Sequence, residues 1–141
     1  MKPIEKIQAF YDVFNDFYYD GECVPQYPNL SLCFCFLDDN EAAEIEGKTD
    51  FMVSKKEDTV KITIKVKKEL TREGKELHFS CILLHEMVHA YMFSHCIFEL
   101  NKDKTQAEHG PRFNEIAKAH GLKDGFIIPN DEVIYIMTKR Q

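Results

Sequence analysis

No stretch of this chain approaches the ~20 consecutive apolar residues of a membrane-spanning helix. Its N-terminus, MKPIEKIQAFYD, lacks the apolar core of a signal peptide. Both absences lead us to expect an intracellular protein without a membrane partner. The cysteines withhold a pattern too. There are five, Cys23, Cys33, Cys35, Cys81 and Cys96, an odd number with no C-x-x-C pair. Neither a disulfide framework nor a zinc ribbon is signalled, so small buried apolar side chains are expected, with Cys33 and Cys35 on one face of a strand. Basic charge is also in deficit. Lys and Arg number 18 against 24 Asp and Glu, giving a net charge of −6, whereas a dedicated nucleic-acid binder is usually basic. Repeats and low-complexity tracts are missing as well.

What is present is an ordinary globular balance. The chain has 141 residues, 44% hydrophobic and 30% charged. That suits a single domain over residues 1–141, large enough for a real core and expected as a monomer. Pro3 to Tyr19 carries Ile4, Ile7, Phe10, Tyr11, Phe14, Phe17 and Tyr18 at helical spacing. After a turn at Asp20-Gly21, LSLCFCFL reads as a strand apolar on both faces and so central in its sheet. DDNEAAEIEGKTDF reads as a connecting loop with a short strand near Phe51. In VKITIKVK, Val60, Ile62, Ile64 and Val66 alternate with Lys61, Thr63, Lys65 and Lys67. That is a strand with one buried and one wet face, its lysines guarding an exposed edge.

A long helix is expected from Thr71 or Arg72 to near Leu100, with Thr71 as its N-cap. After a polar loop, HGPRFNEIAKAHGL gives a second helix, with Gly110 and Pro111 at its start and Gly121 at its end. DEVIYIM, residues 131–137, reads as a final extended segment. The fold class is α+β.

The long helix contains SCILLHEMVHAYMF, Ser80 to Phe93. It is apolar enough to be buried, yet it carries His85, Glu86 and His89. A buried polar group without a partner costs about 1–3 kcal/mol. At 3.6 residues per turn His85 and His89 lie one above the other on one face, where both can reach one metal ion. Glu86 is rotated by about 100°; it can flank the ion and take a proton from water without being a ligand. By average composition, a chance H-E-x-x-H in so short a chain is on the order of one in a few hundred.

A catalytic zinc needs a third protein ligand. His95 lies about 240° around and about 9 Å along a continuous helix from His89 and cannot reach the same ion. His109 is the better candidate: the loop from Asn101 to Glu108 lets the chain return, and Gly110 and Pro111 fix its backbone. Glu108 is the alternative, since carboxylate third ligands exist. His78 and His120 have no supporting pattern. Tyr91, His95 and Arg112 are weak candidates for stabilising an oxyanion.

LLHEMVHAYMF followed by HGPRFNEI resembles the SprT-like metalloprotease family, of the Spartan type without its C-terminal zinc ribbon. The family pattern H-E-M-x-H-A-Y, then H-G-x-x-F, is matched by His85, Glu86, Met87, His89, Ala90 and Tyr91, and by His109, Gly110 and Phe113. FNDFYYDG upstream extends the likeness. The resemblance implies a zincin-like minimal domain, a short sheet packed on the H-E-x-x-H helix. It implies one catalytic Zn2+ held by His85, His89 and His109, with Glu86 as catalytic acid/base. It also implies cleavage of proteins, including DNA-associated or DNA-crosslinked ones, and so a place in DNA–protein crosslink repair. DNA would be met by a local basic face between Lys55 and Lys75, whose bland alternative is a solvated strand face. The substrate would lie extended along the sheet edge beside Lys61 to Lys67. A non-enzymatic, zinc-stabilised protein- or DNA-binding module is the alternative; Glu86 argues against it, because a structural zinc needs no base there. A zinc hydrolase for a non-peptide substrate is a third reading.

Overall fold

The computed structural model describes residues 1–95, 110–122 and 126. The first helix, α1, spans Pro3–Tyr19, and proline suits its first turn because no intrahelical N–H bond is required there. Ile7, Phe10, Tyr11, Phe14 and Tyr18 are buried at the expected spacing, but Ile4 and Phe17 remain 38% and 46% exposed, so the apolar stripe is narrower than the sequence suggested. The helix stops where Asp20 and Gly21 enter the left-handed region, and the Gly21 N–H bonds the Asn15 carbonyl at 2.9 Å.

Three strands follow: β1 (Leu30–Phe36), β2 (Gly47–Ser54) and β3 (Thr59–Val66), with a one-turn helix α2 (Asp39–Ala42) before β2. The sheet order is β1-β3-β2, with β1 parallel and β2 antiparallel to β3. Three expectations change here. Among the described residues β1 is an edge strand, not the central one. β2 is a full eight-residue strand rather than a short segment within a loop. β3 is central, so its lysines guard no edge and no substrate can pair beside them. The alternation in β3 itself holds: Ile62, Ile64 and Val66 are fully buried and Lys61 is exposed.

The pairing register explains the misplaced cysteines. Cys33 stands opposite Thr63 and Cys35 opposite Lys65, on the polar face of the sheet, where both are only half buried. Cys81 is half buried as well, so of the described cysteines Cys23 alone is buried; Cys96 lies outside the described residues. On the same face Lys48 pairs directly with Lys65, a like-charge contact that would repel. Asp50 neutralises it, 2.9 Å from Lys65 and 3.4 Å from Lys48, and Glu41 of α2 lies 3.2 Å from Lys48.

The long helix starts later than expected. Lys68–Thr71 is a 3-10 turn, and Thr71 Oγ1 bonds back to the Lys68 carbonyl at 2.7 Å instead of capping a helix. Gly74 at φ +92° breaks the path, and α3 runs from Glu76 to His95. The expected extension to Leu100 lies outside the described residues, as do residues 131–137. The last described helix, α4, is Pro111–Ala119, with Gly110 as its N-cap and Gly121 at φ +79° past its end, as expected.

Helices α1 and α3 cover the inner face of the sheet, and α4 packs on α3. The buried apolar residues form one contiguous cluster. Phe10 of α1 meets Phe79 of α3 edge-to-face at 4.9 Å, and Tyr11 meets Phe34 of β1 at 5.1 Å. Because α3 is enclosed by the sheet, α1 and α4, it is apolar on several sides. Among the described residues no helix is long and apolar enough to cross a membrane. Phe79 joins α3 to α1 and is fully buried, so Phe79→Ala should cost about 3–5 kcal/mol, read as a fall in the urea midpoint at constant slope.

Candidate metal centre and its cleft

His85, Glu86 and His89 all sit on α3, as the sequence placed them. The imidazoles of His85 and His89 face one another across one helical turn, ring centres 5.1 Å apart. Phe113, in the first turn of α4, lies against both, at 5.0 Å from His85 and 4.6 Å from His89. Phe126 lies 5.0 Å from His85. Both histidines are half buried. Two imidazoles one helical turn apart supply two of the three protein donors that a catalytic zinc needs. Among the described residues no three His, Cys, Asp or Glu side chains come together to hold a metal. His109 and Glu108, the candidates for the third ligand, lie outside those residues.

Glu86 is only 5% exposed, in the seam between α3 and β2. Thr49 of β2 donates its hydroxyl there: Oγ1 lies 2.9 Å from Glu86 Oε1 and 3.1 Å from the Glu86 carbonyl, so one proton is shared by two acceptors. Burial pushes the carboxyl up to about 7 from an ordinary 4.5, and the Thr49 hydroxyl pulls in the opposite direction. Gly47 makes the seam possible. A Cβ at that position would sit 2.7 Å from Ile82 Cγ2 and 3.0 Å from Glu86 Oε2. A glycine inside a strand often marks such a close approach. That was the one signal in the sequence for this part of the site, and it was hidden while the segment read as a loop. Nothing in the sequence pointed to Thr49.

A cleft of ≈ 570 Å3 opens onto His85 and Glu86, between the segment before β2 and the start of α4. The other described histidines are employed elsewhere. His95 is exposed, stacks on Tyr91 at 3.9 Å, and its Nε2 lies 2.9 Å from the Glu22 carbonyl. His120 packs between Tyr19 and Tyr91. His78 pairs with Glu46 at 2.7 Å. Of the three oxyanion candidates, Tyr91 and His95 are thus stacked together, and Arg112 lies 3.4 Å from Glu115.

The family model described as the SprT-like family matches residues 7–128. No curated protein and no solved structure matches the chain.

The raised Glu86 carboxyl has a measurable consequence in metal-free protein. Its folded-state value lies above its unfolded one, so its contribution to stability is complete below about 4.5 and is lost as pH rises through about 7. That interval corresponds to about 3 kcal/mol. Glu86→Gln removes the titration, so the variant should gain on wild type by roughly that amount between pH 4.5 and pH 8 in urea unfolding. A pH-independent difference would mean that the carboxyl is not held out of water.

Proposed function

The chain belongs to the SprT-like family, and from that premise we propose that it is a zinc-dependent metalloendopeptidase on a zincin-like domain spanning residues 1–141. The observation that carries the reading is a nearly fully buried carboxyl, Glu86, one residue from an imidazole pair at the head of an open cleft. His85 and His89 would hold Zn2+ together with His109. The packing of Phe113 against both rings supports this, because it brings the start of α4 to the imidazole pair. When bound, the ion would supply Lewis acidity, lowering the pKa of water toward ~7 and polarising a carbonyl.

The remaining work falls to the chain's own groups. Glu86 takes a proton from the attacking water and returns it to the leaving amine. The Thr49 hydroxyl fixes the carboxylate in the orientation the transfers need. Phe113 and Phe126 keep bulk water from the rings. With β3 central, a main-chain-paired substrate would lie on the outer edge of β2, unpaired among the described residues, the strand that carries Gly47 and Thr49.

The proposed substrates are DNA-associated or DNA-crosslinked proteins. In the basic stretch Lys65 and Lys75 are in ion pairs, while Lys55, Lys56 and Lys61 are exposed and have none among the described residues. These three would be the contacts to phosphate.

Two outcomes are expected. Wild type and Glu86→Gln should each bind one zinc, with wild type cleaving casein or histone and the variant slowed by at least about 100-fold. If both bind zinc and neither cleaves, with or without single-stranded DNA, the chain is a zinc-stabilised binding module. Replacing Lys55, Lys56 and Lys61 together by alanine should weaken single-stranded DNA binding and lower its log–log salt slope by roughly 2. An unchanged slope makes them a solvated surface.

A further inference from the structure

Strand β2 faces two ways through the same residues. The Lys67 N–H bonds the Glu46 carbonyl at 2.9 Å, one step before Gly47 stands opposite Val66 in the β2–β3 register. Main-chain groups in an antiparallel pair alternate between the partner strand and the opposite edge. Lys48 and Asp50 therefore direct N–H and C=O to β3. Gly47, Thr49 and Phe51 direct theirs to the outer edge of β2, where they meet no main-chain partner among the described residues. The side chain of Thr49, and the place where Gly47 has none, turn inward. Thr49 Oγ1 lies 2.9 Å from Glu86 Oε1, and a Cβ on Gly47 would lie 3.0 Å from Glu86 Oε2. Both carboxyl oxygens are thus met from β2 by residues whose main chain is open on the edge. Gly47 also lines the cleft that contains His85 and Glu86.

We propose that Thr49 is a positioning residue that couples an extended polypeptide on the outer edge of β2 to the orientation of Glu86. The role rests on the peptidase reading for its chemistry and on the alternation of β2 for its geometry. With an open edge, the peptide groups of Gly47 and Thr49 are restrained from one side only. Pairing with a substrate main chain restrains them from the other and fixes the Thr49 φ and ψ. Threonine is β-branched and stiff at χ1, so a fixed main chain fixes Oγ1. The same hydroxyl lies 3.1 Å from the Glu86 carbonyl, which ties β2 to the helical turn as well as to the carboxyl. The base is then held most firmly when the edge is filled, and proton transfer from water is linked to the presence of a substrate.

Two substitutions separate the parts of this device. Thr49→Val keeps shape and stiffness and removes the donor; Thr49→Ser keeps the donor and relaxes χ1. With zinc-loaded protein and an internally quenched casein peptide, Thr49→Val should lower kcat on the order of 100-fold, the size expected of a misplaced catalytic group, with KM held within about twofold. Thr49→Ser should stay within about tenfold of wild type, because the donor returns. A second readout needs no turnover, and it serves alone should Thr49→Val not fold. In zinc-loaded Glu86→Gln, the same peptide at about ten times its Kd should slow exchange of the Gly47, Thr49 and Phe51 amides roughly tenfold and leave those of Lys48 and Asp50 unchanged. The Thr49 methyl resonance should shift along the same titration. If wild type cleaves and Thr49→Val keeps its kcat, or only KM rises, the coupling is overturned and the peptidase stands. If nothing is cleaved but the outward amides and the Thr49 methyl respond together, the coupling stands and the peptidase reading falls. Amides that respond without the methyl, or do not respond, overturn the coupling.

Discussion

The arrangement around α3 is organised by one buried carboxyl group. Removing Glu86 from water raises the free energy of its charged form, and a single shared hydroxyl proton from Thr49 does not compensate for that. A seam made only for stability would place an apolar residue there. Instead three neighbours make room for the acid: Gly47 withholds a side chain, Thr49 supplies a donor, and Phe113 closes over the adjacent imidazoles. On the proposed function, that cost falls where a proton would be gained and released.

The parts of this molecule that were legible in the sequence are those governed by local spacing. The four-residue interval of His85 and His89, the Gly110-Pro111 helix start and the alternation of β3 follow from backbone geometry alone, and each is found in the structure. What was not legible depends on partners distant in the chain. Continuous apolarity made β1 read as central, yet its place at the edge follows from β3 inserting between it and β2. Thr71 has the side chain of a helix cap but spends it on a 3-10 turn, because Gly74 bends the chain away before Glu76. Thr49 could not be recognised from its neighbours, since its partner is 37 residues away.

Charge is divided by the sheet in a way that composition hides. An overall excess of acid coexists with a polar sheet face on which Lys48, Lys65, Glu41 and Asp50 neutralise one another. Among the described residues Lys55, Lys56, Lys61, Lys68 and Arg72 are exposed without an ion pair, whereas Glu44 and Glu46 line the opening beside α3.

Strand β2 serves both sides of that division, residue by residue. Thr49 and Gly47 point toward α3, and Lys48 and Asp50 point away. Displacing this strand by one position along β3 would exchange the two sets. Either an ammonium or a second carboxylate would then be forced into the apolar interior beside Glu86, while the hydroxyl faced solvent. Misalignment is thus penalised electrostatically as well as sterically, and the same alternation that builds the seam around Glu86 proofreads how the hairpin closes.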